Sequence, residues 1–126
     1  SLHGTLDHIL LGDRIWMSRF TGHDYPRTTI GTLLYEDFEE LASARRAMDA
    51  DIEAFADGLT PDWLARPLSW TSGLDGQTRS QPSWLLVSHL FNHQTHHRGQ
   101  ATTLLSQLGI DIGSTDLPWV PQVEEI

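Results

Sequence analysis

Between Phe38 and Leu59 the residues Phe38, Leu41, Arg45, Met48, Ile52, Phe55 and Leu59 follow one another at alternating spacings of three and four. That rhythm holds one stripe of side chains on one side of an α-helix, as in the seam of a helix bundle. It commits the chain to packed helices before anything else is considered. The helix is expected from about Tyr35 to Leu59. Glu36, Asp37, Glu39 and Glu40 at its start suit the positive end of the helix dipole and form a solvated face. Arg45 interrupts the apolar stripe, so it has to reach a carboxylate, with Asp13 one candidate, or serve an anionic group of a substrate.

Two further stretches carry the same period. Leu2, Leu6, Ile9, Trp16 and Phe20 share a face of a helix from about Leu2 to Phe20. Asp13 lies in that stripe, either as an acid paired with an arginine at an interface edge or as a buried acid that orients a histidine. His8, Leu11 and Ile15 make a second face, and Gly4 and Gly12 leave room there for a close neighbour. The third helix starts near Ser80 or Ser83 and ends at Gly109, with Leu86, Leu90, His93, His97, Ala101, Leu104 and Leu108 in one stripe. Thr21 to Thr32 reads as a loop. From Thr60 to Pro82 the helical period disappears, and Asp75-Gly76 suggests a hairpin between two short strands. The tail from Ile110 reads as extended, lying over the bundle through Leu117, Trp119 and Val120. The expected fold is a single all-α domain over residues 1–126, a helical bundle with a short β-hairpin-like insertion. The chain opens without methionine and already in helical pattern, so an upstream helix is expected to complete a four-helix bundle.

Composition narrows the function. A chain of 126 residues with 39% hydrophobic and 20% charged residues buries a core without staples. It has no cysteine, which excludes disulfides, thiolate ligands and a cysteine nucleophile. A net charge of −9 with eight dispersed basic residues argues against nucleic-acid binding. No apolar run is long enough to span a bilayer and no signal peptide is visible, so a cytoplasmic protein that binds no membrane is expected.

"SHLFNHQTHHRGQ", residues 88–100, holds four of the seven histidines. His93 and His97 occupy places where the stripe asks for core residues, and a spacing of four sets their Cβ atoms about 5 to 6 Å apart. Two imidazoles so placed repel when protonated and lack partners when neutral, whereas a single metal ion satisfies both. His89 lies one turn earlier near the same face, and His96 is rotated away by about 60°. Zincin chemistry needs a glutamate directly after the first histidine, but Gln94 stands there and cannot take a proton. Zinc or nickel wants a third protein ligand, from His3, His8, His23 or a carboxylate.

"HGTLDHILLGDRIWMSRF", "LVSHLFNHQTHHRGQ" and the tail "DLPW" together resemble the DinB family, grouped with the YfiT-like metal-dependent hydrolases. The resemblance covers nearly the whole chain. It implies a four-helix bundle, commonly a homodimer, with a divalent ion, nickel or zinc, held by three histidines. Matched position by position, these are His8, His93 and His97, while the first helix of the family has no counterpart in this sequence. The resemblance also implies metal-dependent chemistry on a small-molecule substrate, by a hydrolase or by a thiol-dependent transferase with a low-molecular-weight thiol as cosubstrate.

In such a site three neutral imidazoles leave the ion its full charge and an open coordination position. His89, Asp13, Asn92 or Gln100 are candidates to fix the ligand tautomers, and Arg98 to hold a substrate anion. No residue is an evident general base. The alternative is a non-catalytic, metal-stabilised bundle with a structural or stress-associated role, its ion closed off by a fourth protein ligand.

Overall fold

The structure, a computed structural model, describes residues 1–121. Its order is α1 (Leu2–Thr21), α2 (Phe38–Asp57), α3 (Pro61–Ala65), β1 (Pro67–Thr71), β2 (Thr78–Pro82), α4 (Ser83–Gln107) and a 3₁₀ turn at Leu117–Trp119. The described chain is mostly helical with one small antiparallel sheet. Three helices are long and α3 is little more than one turn, so the described residues do not display four long helices.

Each helix starts and stops for a local reason. Ser1 accepts a hydrogen bond from the Gly4 amide at the head of α1, and Gly22, at φ 77°, takes the left-handed conformation that ends it. Asp37 caps α2 by accepting from the Glu40 amide, so this helix begins with its apolar stripe at Phe38, three residues after the expected start at Tyr35. Thr60 caps α3 and Pro61 occupies its first turn, a start signal that the loss of helical period between Thr60 and Pro82 concealed. Helix α4 begins at Ser83 rather than Ser80, because residues 78–82 are spent on pairing β2 with β1, Leu68 opposite Gln81 and Trp70 opposite Arg79.

The core forms where α1, α2 and α4 meet, around Leu10, Met17, Leu41, Met48, Ile52, Leu86 and Leu90. Leu10 and Leu90 are both 0% exposed, and each such side chain contributes about 1.5 to 3 kcal/mol by its burial. A second layer of aromatic rings, Phe20, Phe55 and Trp63, closes the end of the core below α3, with Phe20 stacked on Phe55 at 5.3 Å. Helix α1 is buried on nearly every side from Asp7 to Phe20. Three expected packing positions are not buried: Leu108, past the end of α4, and Leu117 and Trp119 in the tail are all exposed to solvent. The α4 stripe ends its packing with Ala101 and the half-buried Leu104, and the described tail does not lie against the bundle through those two side chains.

The segment from Gly22 to Asp37 has no regular structure but is firmly tied to α1. The buried Asp7 carboxylate accepts from the amides of Leu34, at 2.9 and 3.1 Å, and Tyr35, at 3.0 Å. Arg14 donates to the Pro26 carbonyl and to the Tyr35 hydroxyl, both at 2.9 Å. These two side chains satisfy loop backbone groups that would otherwise be lost to burial, and they hold the loop beside the histidine end of α1.

Candidate metal centre

Helices α1 and α4 pack along much of their length, and this brings His8 to the two histidines of α4. The ring centroids of His8 and His97 are 4.5 Å apart, those of His93 and His97 4.5 Å, and those of His8 and His93 5.3 Å. One nitrogen from each ring lies within 4.8 Å of the others, so the three could hold one metal ion. Gly12 makes the approach possible. A Cβ at that position would stand 2.7 Å from His93 Cε1, closer than side-chain atoms tolerate.

The electrostatics suit neutral rings. Burial first, then the neighbouring histidines His97, His8, His89 and His96, pushes the His93 pKa down to about 4. Burial and His97 also lower that of His8, against a smaller upward pull from Asp7. The Gln100 side-chain oxygen accepts from His97 Nδ1 at 2.8 Å, which leaves the Nε2 lone pair of that ring free. His93 Nδ1 is buried with no hydrogen-bond partner among the described residues. A buried ring nitrogen without a partner is costly, and three imidazoles facing one another are a donor set that zinc and nickel accept. The residues therefore fit a divalent ion.

The remaining histidines are elsewhere. His3 Nε2 donates to the Tyr35 carbonyl at 2.8 Å, His23 is exposed beside Tyr25, and His96 is exposed with its ring edge against His97. His89 packs edge-on to Trp16 at 5.1 Å and lies 5.8 Å from His93, and burial followed by Arg19 lowers its pKa.

The polar candidates separate just as clearly. Gln100 touches a triad ring. Asp13 does not: its fully buried carboxylate accepts from Arg45 at 2.6 Å and from Gln94 at 3.0 Å, forming a bridge between the three long helices. The seam-breaking arginine and the stripe-breaking acid thus answer each other, with burial pushing the acid up and Arg45 pulling it down. Arg98 donates to Gln94, at 3.4 Å, and to Thr95, on the side of α4 that faces α2. It does not line the cavity beside His8 and His93. Asn92 is exposed and shows no side-chain hydrogen bond among the described residues. Gln94 turns away from the triad into the Asp13 bridge, so a glutamate base at that position would also face the wrong way.

A cavity of about 990 Å³ opens beside the triad, with His8 and His93 in its wall. Its floor is α1, from His8 past Gly12 and Trp16 to Arg19; Leu85, Leu86 and His89 of α4, the Arg27–Ile30 loop and the hairpin complete it. The periodicity did not single out Arg19, Arg27 or Trp70 as site residues, and it gave no role to Asp7, which anchors the loop. Arg19 was the most legible of these, since it follows Trp16 by three on the same helix as His8.

Comparison with known proteins agrees with this architecture. The family model described as the DinB family matches residues 1–126. An uncharacterized protein of Bacillus subtilis (strain 168), YrdA, is 28% identical over 89 residues, 71% of this chain and 46% of the relative. The chain thus spans about half the length of that curated relative. A crystal structure of a DinB-like protein from Bacillus cereus is similar with a TM-score of 0.62 and 25% identity, over 92% of this chain and 73% of the other.

Proposed function

The chain belongs to the DinB family, and from that premise we propose that it is a metal-dependent enzyme of small-molecule chemistry, its ion held by His8, His93 and His97. The observation that carries this reading is that His8 and His93 face a cavity of about 990 Å³, with no fourth protein ligand beside the triad among the described residues. A divalent ion, nickel or zinc, would supply Lewis acidity and lower the pKa of a water or thiol near neutral pH. The protein's own contributions are to favour neutral rings at His8 and His93, to fix the His97 tautomer through Gln100, and to line the reaction space with apolar and aromatic surface.

No carboxylate lines the cavity among the described residues, so the proton of a metal-bound water or thiol would leave through His89, the further imidazole in the wall, or to solvent, which serves hydrolysis and thiol transfer alike. The reading extends to the four-helix bundle and homodimer of the family. A smaller groove beside α1 and α2, lined by Leu6, Ile9, Phe38 and Leu41 with Arg45, Arg46, Asp49 and Arg98 around them, is where a further helix would pack.

Metal analysis of tag-free protein tests the assignment. The wild type should carry one equivalent and His8→Ala and His97→Ala should each lose it; a full equivalent in both variants refutes the triad. For thiol transfer, a panel of low-molecular-weight thiols with an electrophilic acceptor should show metal-dependent conjugation, and silence across the panel would leave hydrolysis or a metal-stabilised bundle without catalysis.

A further inference from the structure

The chain carries 17 acidic residues against eight basic ones, yet the cavity beside the triad inverts that balance. Arg19 and Arg27 both line it, and no aspartate or glutamate does among the described residues. Neither arginine forms an ion pair with a described carboxylate; the ion pairs that form use Arg45 and Arg79.

Arg19 is held in place rather than solvated. Its guanidinium lies 4.4 Å from the Trp16 ring centre and 4.6 Å from that of Trp70, and it donates to the Thr71 carbonyl at 3.2 Å. This geometry fixes the plane of the guanidinium and leaves donors for another acceptor. Arg27 comes from the loop that Asp7 and Arg14 tie down, and the Arg14 bond to Pro26 is one residue away from it. Burial and then the charge of Arg27 lower the Arg19 pKa, so the two cations feel each other. Arg19, half-buried, and Arg27, exposed at the cavity mouth, are thus two cations that no described carboxylate pairs, facing one cavity.

We propose that the cavity binds a small organic anion, a carboxylate or sulfonate on an apolar body, with the anionic group on Arg19 and Arg27 and the other end directed to His8 and His93. The register along α1 sets the size. His8, Gly12, Trp16 and Arg19 lie along one wall, and eleven residues of helix separate the Cα atoms of the two ends by about 16 Å. Leu11, Ile15 and Trp16 supply apolar surface between them. This names a substrate class for the site proposed above and rests on that reading only for what happens at the histidine end.

Binding of 2-naphthoate and of its neutral isostere 2-naphthamide, followed by tryptophan fluorescence and calorimetry, tests the inference in metal-free and zinc-loaded protein. The carboxylate should bind about tenfold more tightly than the amide in the metal-free protein, because the preference comes from charge-assisted hydrogen bonds and not from the ion. Arg27→Gln should remove most of that preference with the melting temperature unchanged, and Arg19→Lys should weaken it. Equal binding of the two probes to the metal-free wild type, or a preference that survives Arg27→Gln and Arg19→Lys together, overturns the proposal. Selective binding that disappears in the arginine variants stands even where metal analysis refutes the triad, so the two readings fail separately.

Discussion

Gly12 and His93 meet so closely that any side chain on Gly12 would displace the His93 ring: a Cβ there would lie 2.7 Å from His93 Cε1 and 3.1 Å from Nδ1. The contact is between helix backbone and the edge of an imidazole. It positions the His93 ring of the triad.

Gly12→Ala separates the site from the fold. Alanine favours a helix interior over glycine by about 1 kcal/mol, and the clash is with a side chain that can rotate. The expected result is a fold retained, a melting temperature little changed, and metal affinity reduced about tenfold or more as His93 is displaced. Calorimetric titration with zinc or nickel checks it; undiminished affinity would show that the close approach does not set the ring.

Gln100 acts on His97 from outside the triad. Removing it in Gln100→Ala frees the ring to adopt either tautomer, and metal affinity should fall about tenfold. Gln100→Glu keeps an acceptor for Nδ1–H and should restore it. If both variants bind metal alike, the hydrogen bond is incidental.

Arg45→Met leaves the Asp13 carboxylate buried with Gln94 as its remaining partner. Losing one partner of such a pair costs about 3 kcal/mol. Burial already raises the Asp13 pKa, and loss of the cation raises it further. A raised carboxyl pKa means that the neutral form suits the fold, so the variant should regain stability as the pH falls through that value. Urea denaturation of Arg45→Met and of Arg45→Met/Asp13→Asn at pH 7 and pH 5 reads this, with the double variant more stable than the single one at pH 7. Equal stability of the two at pH 7 would contradict the buried charge.

Tyr25 donates to Asp51 at 2.9 Å and so pins the Arg27 loop to α2. Burial and this bond push the Tyr25 pKa up to about 12. The stability it lends is fully present below the unfolded value of about 10 and is lost as the pH rises through about 12. Alkaline absorbance titration should show a late-ionising tyrosine that Tyr25→Phe removes. The variant should also melt earlier at pH 9, with no further alkaline loss from this position.

What could be read along the chain was what helical geometry repeats locally. The α2 seam, the two faces of α1 and the His93/His97 pair all follow from 3.6 residues per turn, which places residues three or four apart side by side whatever surrounds them. Asp75-Gly76 marked the hairpin for an equally local reason, Gly76 taking φ 67° in its turn. Thr60-Pro61 was a local signal too, overlooked because α3 is too short to show a period.

Everything that depends on how the elements meet was decided by the tertiary structure. His8, His3 and His23 are equivalent as letters; only the packing of α1 against α4 brings His8 to the triad and leaves His3 on a backbone carbonyl. Arg98 stands beside a ligand position in the chain, but a helix turns each successive side chain by 100°, and Gln94 draws it toward the Asp13 bridge. Arg19 and Arg27 come together because Asp7 and Arg14 fold an irregular loop back over α1, through long-range bonds to backbone groups that leave no periodic trace. By itself the sequence determined helices, their apolar faces and two adjacent imidazoles. Which third histidine joins them, and which cations share their cavity, was settled by burial and backbone satisfaction across segments far apart in the chain.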